Sequence, residues 1–220
     1  MSRFVELSRV ISDGMSGISP RFSVRVGTFQ TREESARAFG GACAFETSEV
    51  AFQVAVGSYI DSPHARDEEG RDIAEIGIEE LVAPGLLLDM RHLPPRHAIA
   101  PADLPAGADY AGRAVLFDFG WAAHWDTPRY DEHPFLTRAA VEFLIERGVR
   151  MVAVDCRSPD DPAEMSKPAH TLCLRADIFI VENLIDMDRL HGHPFRFFAV
   201  PLRMRDATSF PVRAFAEIEA

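Results

Sequence analysis

The chain has 220 residues, 47% hydrophobic and 26% charged, which suits one ordinary globular domain over residues 1–220 with a substantial core. A formal net charge of −11 argues against a phosphate-backbone partner, because nucleic-acid binders display basic surfaces, and a small molecule is the expected partner. No run approaches the roughly 18 uninterrupted apolar residues that span a bilayer, and the opening Met1-Ser2-Arg3-Phe4-Val5-Glu6-Leu7 lacks a signal-peptide core. A cytoplasmic protein with no membrane partner is expected. Cys43, Cys156 and Cys173 are widely spaced and form no Cys-x-x-Cys pair, so they are expected as buried thiols.

In chain order, Thr31 to Ala38 reads as a short helix and Val50 to Val56 as a strand. Further strands are expected at Gly85 to Asp89, Ala114 to Phe119, Met151 to Val154, Ile178 to Val181 and Phe195 to Val200. Thr137 is placed to cap a helix running through Arg147, whose Val141, Leu144 and Ile145 share a face and which Gly148 ends. A third helix is expected over Ala163 to Arg175. The strand at Ala114, the helix after Thr137 and the strand at Met151 make a crossover unit, while the first third is richer in strands, so the class is mixed α/β. Ligands in such folds gather just beyond strand ends, which draws attention to Asp118 and Asp155.

The most unusual stretch is Val56 to Arg66, where a glycine, an acid, a proline turn and a histidine follow one another. Asp61 and His64 are close enough in sequence to share a pocket, where a carboxylate beside an imidazole binds a metal or fixes the ring's tautomer. An Asp-x-Pro turn with no ligand is the alternative.

This segment resembles the motif His-x-Gly-Thr-His-x-Asp-x-Pro-x-His of the cyclase family of metal-dependent hydrolases, which includes the kynurenine formamidases. The frame runs from Ala55 to Ala65: Gly57, Asp61 and Pro63 match, and Ser58 stands for the threonine. Ala55, Tyr59 and Ala65 occupy the three histidine positions, with His64 one place early. The strand ending at Asp155, followed by Ser158 and Asp160, is similar to a family segment, as are His170 and the Glu182-Asn183-Leu184 acid twelve residues later. Phe198 to Leu202 and Pro211 to Ala214 resemble the closing strands. The resemblance implies a mixed-sheet, swivelling β/β/α type of domain that assembles as a homodimer or homotetramer.

It also implies that the usual first metal site is lost, while Asp61, His170 and Glu182 remain as ligands for one zinc or manganese ion, with His64 as a proton shuttle. Hydrolysis of an amide, formamide or lactone bond in a small, aromatic or cyclic carbonyl compound would follow. Tyr59 is a poor metal ligand near neutrality, so the alternative is metal-free ring closure or dehydration using Tyr59 with Asp61, His64 or His170, or a catalytically inactive ligand-binding homologue. Trp121, His124 and Trp125 either line an aromatic pocket or pack over the core. His133 before Pro134 reads as a turn or cap, and His191 and His193 as an exposed turn.

Overall fold

A computed structural model of the chain describes residues 3–16 and 23–218; Met1 and Ser2 of the opening segment lie outside the described residues. The strands are β1 (Arg3–Glu6), β2 (Arg25–Gln30), β3 (Thr47–Ala51), β4 (Tyr59–Asp61), β5 (Val82–Asp89), β6 (Ala98–Ile99), β7 (Ala114–Asp118), β8 (Phe135–Leu136), β9 (Met151–Val154), β10 (Phe179–Glu182), β11 (Phe195–Phe198), β12 (Ser209–Pro211) and β13 (Phe215–Ile218). Three α-helices accompany them: α1 (Arg32–Ala38), α2 (Arg138–Glu146) and α3 (Pro168–Arg175).

Nine strands form one sheet in the order β1-β13-β11-β5-β7-β9-β10-β4-β12. Its centre, β5-β7-β9-β10, is parallel, and the strands on either side of that centre are antiparallel. Strands β7, β9 and β10 are buried on both faces, which is why they read as unbroken apolar runs instead of alternating ones. Successive residues still point to opposite sides. Ala114 and Leu116 of β7, Met151 and Ala153 of β9, and Phe179 and Val181 of β10 pack in one core. Val115, Phe117, Val152, Val154 and Ile180 pack in the other, together with Ala140, Val141 and Leu144 of α2 and Ala169, Cys173 and Leu174 of α3. The mixed α/β class and the β7-α2-β9 crossover are therefore as the sequence indicates, with Thr137 accepting the Ala140 N–H at 3.2 Å as the cap of α2.

Two elements differ from expectation. The strand expected over Val50 to Val56 stops at Ala51, and the chain enters the main sheet only at Tyr59, after Gly57 with φ +62°. A Cβ on Gly57 would lie 2.8 Å from Ile11 Cγ1, so this close turn requires glycine. The helix expected from Ala163 begins instead at Pro168, because proline at the first helical position lacks the N–H that an earlier turn would need. The β2-α1-β3 arm stands off the core, with Phe29, Phe39 and Phe45 exposed. Cys43 on this arm is exposed, a correction to the expected buried thiol, while Cys156 and Cys173 are buried. No helix among the described residues is long and apolar enough to cross a membrane.

Candidate active site

Tyr59 and Glu182 are directly opposed across the antiparallel β4–β10 pair, and Asp61 is opposed to Ile180. Ile180 belongs to the helix-side core, so alternation carries Tyr59, Asp61 and Glu182 to that same face. Helix α3 packs there and presents His170 from its first turn. His170 Nε2 lies 3.4 Å from Asp61 Oδ2 and 3.2 Å from Glu182 Oε1. The Tyr59 hydroxyl donates to Glu182 Oε2. The structure thus brings together Tyr59, Asp61, His170 and Glu182.

Asp160 organises this arrangement from behind. One of its oxygens accepts the Ala169 N–H at 2.6 Å; the other accepts the His170 N–H at 3.1 Å and contacts His170 Nδ1 at 2.6 Å. Lys167 gives α3 no side-chain cap, so Asp160 satisfies the helix's first donors and places a negative charge at its positive end. The same carboxylate fixes the ring so that Nε2 faces Asp61 and Glu182.

Charge and burial oppose each other here. Asp160 is fully buried, Glu182 is 1% exposed and Asp61 6% exposed. Burial pushes the Glu182 carboxyl up, against the pull of His170, and the Asp61 charge adds to the rise. Burial alone would lower His170, but the Glu182 charge, the hydrogen bond to Asp160 and the nearby Asp61 carboxylate hold the imidazole well above its usual value. Burial would likewise raise Asp160, and its bond to His170 brings it below the usual carboxylate range. Burial, with Glu182 and Asp61 nearby, raises the Tyr59 phenol far enough that it acts as a neutral donor.

Three carboxylates thus surround one imidazole. Glu182 Oε1 has no hydrogen-bond donor, since its 3.2 Å contact with His170 is an ion pair without hydrogen-bond alignment. A buried acceptor left unpaired is costly, and the excess of buried negative charge favours a cation. One ligand atom each from Asp61, His170 and Glu182 lie within 4.8 Å of one another. Two carboxylates and one imidazole held by a further carboxylate fit a divalent ion such as zinc or manganese.

Other sequence candidates fall elsewhere. His64 sits on a 3-10 turn, Pro63–Ala65, and lines a different cleft with Glu68, Asp72 and Arg205, so it does not join the cluster as the expected proton shuttle. Successive side chains of such a turn diverge by about 120°, and the neighbouring Ala65 is the one packed against the helix-side core. Ser58 is structural: its hydroxyl donates to Asn183 O at 2.8 Å and accepts the Arg9 N–H at 3.0 Å. Trp121 is core, its indole N–H donating to Tyr130 O at 3.1 Å, and His124 packs against its ring. Trp125 lines a cleft with Ala55, Gly57 and Tyr130.

His133 is buried beside Pro134 O, and its burial depresses its pKa. His193 is exposed as expected, but His191 is half-buried and bonds Asp118 at 2.7 Å. Asp155 accepts the N–H groups of Phe119, Trp121 and Ala122, pinning the loop after β7. The role of Asp160 has one signal in the sequence, an acid eight residues before a helix-starting proline that has no cap of its own.

A mixed α/β fold thus carries a buried anionic cluster, with a ligand set suited to a divalent ion, at the junction of β4, β10 and α3. The Cyclase family model matches residues 5–161, and the chain belongs to that family. It is 26% identical over 214 residues to the kynurenine formamidase of Delftia acidovorans, covering 93% of this chain and 94% of that protein. Its fold is similar to isatin hydrolase A from Labrenzia aggregata, with a TM-score of 0.84 and 20% identity over 100% of this chain and 94% of that one. A potential metal-dependent hydrolase with cyclase activity superposes at a TM-score of 0.78 and 22% identity, covering both chains fully at 100%. Kynurenine formamidase and isatin hydrolase are both hydrolytic enzymes.

Proposed function

We propose that the protein hydrolyses the C–N bond of a small aromatic amide or formamide, cyclic amides included, at a centre where Asp61, His170 and Glu182 hold one zinc or manganese ion. The observation that carries this reading is the unpaired Glu182 Oε1 within a buried cluster of three carboxylates and one imidazole. Similarity to a kynurenine formamidase and to an isatin hydrolase supports the substrate type. A divalent ion supplies polarisation of the carbonyl and a lower pKa for water.

The chain's own groups do the rest. Asp160 keeps His170 Nδ1 occupied, so the ring presents Nε2 to the pocket. Tyr59 Oη holds Glu182 Oε2 and leaves Oε1 pointing at the donor set. Helix α3 and the β4–β10 pair exclude bulk water, which strengthens every charge interaction inside.

The test uses isatin and formanilide as substrates. Dialysis against a chelator is expected to remove bound metal and to lower turnover by about a hundredfold or more, as loss of an essential centre does, with recovery on adding zinc or manganese. Turnover that persists in metal-free protein would contradict it. One contact favours a second reading: the buried Tyr59–Glu182 hydrogen bond is also a donor–acceptor pair suited to metal-free ring closure or dehydration. That reading predicts chelator-resistant activity that Tyr59→Phe impairs.

A further inference from the structure

A small cleft lies against the chain segments that flank the carboxylate cluster and shares no lining residue with it. Its lining includes Ala55, Gly57, Trp125, Tyr130, Arg157 and Asn183. Ala55 and Gly57 lead directly into Tyr59 of β4, and Asn183 follows Glu182 of β10, so the cleft opens beside the two strands that carry the site. The methyl group of Ala55 leaves this wall open.

The aromatic part of the cleft is rigidly built. The Trp125 ring meets Tyr130 edge to face at 5.1 Å, and the Arg9 guanidinium lies 4.0 Å from the Trp125 ring centroid. The Tyr130 hydroxyl donates to Asn183 Oδ1 at 2.8 Å, and Asn183 Nδ2 donates to Gly57 O at 2.9 Å. These polar groups are satisfied within the protein, so the rings offer flat apolar surface.

Arg157 provides the contrast. Its guanidinium carbon lies 5.8 Å from the Tyr130 ring centroid, and its Nε is 2.7 Å from Asp131 Oδ1, an ion-pair contact without hydrogen-bond alignment. Among the described residues, neither Nη of Arg157 has a hydrogen-bond acceptor. Asp126, the acid on the lining, is exposed, and solvent screens it. A planar guanidinium edge with free donors beside aromatic surface matches a carboxylate carried on an aromatic ring.

We infer that this cleft seats the aromatic part of the substrate and that Arg157 pairs with an acid group on it, so that the substrate class is an aryl amide bearing a carboxylate. The inference rests on the proposed hydrolytic reading for its substrate, but binding is measurable without turnover.

The experiment titrates benzoate and its neutral analogue benzamide into the full-length protein by calorimetry, following Trp fluorescence in parallel. The wild type is expected to bind benzoate about tenfold more tightly than benzamide, in line with a charge-assisted pair. Arg157→Met should abolish that preference, and Arg157→Lys should restore part of it. Thermal melting of each variant verifies folding. For turnover, the ratio of KM for N-formylanthranilate to KM for formanilide should rise about tenfold in Arg157→Met. Equal affinity for the two probes in the wild type, no binding of either, or a preference that survives in Arg157→Met would overturn the inference. A benzoate preference without any hydrolysis would leave the cleft assigned and sink the hydrolytic reading instead.

Discussion

The chain holds two groups of two carboxylates and one imidazole, and their surroundings differ. Asp89, Asp118 and His191 meet at the carboxyl ends of β5 and β7, where Asp89 and Asp118 are register partners. Asp61, His170 and Glu182 meet between β4, β10 and α3. In the first group Arg91 already supplies a cation, with Nη2 2.6 Å from Asp89 Oδ2 and Nε 3.6 Å from Asp118 Oδ2. The hydrogen bond from Arg91 holds the Asp89 carboxyl well below its usual range. The second group has no arginine or lysine contact among the described residues, a third carboxylate behind it and an unpaired oxygen within it. Ligand types and spacing are alike in the two, so a cation site is defined here by buried charge that the protein leaves unbalanced.

The largest effect should separate the two groups. Glu182→Gln is expected to reduce bound zinc or manganese from near one per chain to a trace, while Asp118→Asn leaves the metal content unchanged, as elemental analysis would show. The mirror change, Arg91→Ala, should open the Asp89, Asp118 and His191 group to weak divalent binding; an Arg91→Ala protein with no added site would mean that exposure, not the arginine, keeps cations out.

Asp160→Asn comes next. Losing a carboxylate that holds a metal-binding histidine costs about 10- to 100-fold in metal affinity. Competition against a fluorescent chelator should register this shift, whereas an unchanged affinity would reduce Asp160 to a helix cap.

The smallest effect concerns Asp155, beside Asp118 of the first group. Burial, then the Asp118 charge, push its carboxyl up to about 7, against the N–H groups of Trp121, Ala122 and Phe119. The folded protein therefore keeps a proton that the unfolded chain releases near pH 4, so this group's contribution to stability falls as pH rises from about 4 to 7 and then levels. Denaturant midpoints taken across that range should fall less steeply in Asp118→Asn than in the wild type. Parallel curves would show that the two acids do not interact.

Much of this was legible in the sequence where a local pattern coincides with a contact. Thr137 three residues before Ala140, and apolar runs at Ala114 and Met151, specify a capped helix between buried parallel strands without reference to the rest of the chain. The strand β4 has only three residues and was hidden within the motif, so its pairing with β10, and the Tyr59–Glu182 contact 123 residues apart in sequence, belong to the tertiary fold. His64 misled because chain proximity to Asp61 says nothing about direction on a turn. His191 misled because a histidine beside Gly192 looks like a loop tip until the sheet brings Asp118 to it. The Arg157 cleft depends on segments from five parts of the chain and left no periodic trace.

The most direct measurement is a crystal of the protein soaked in manganese and recorded at the metal's absorption edge. The account predicts a single anomalous peak about 2.0–2.2 Å from Asp61, His170 Nε2 and Glu182 Oε1, and none at Asp89, Asp118 and His191. No peak at Asp61, His170 and Glu182, or a peak at Asp89, Asp118 and His191 alone, would contradict it.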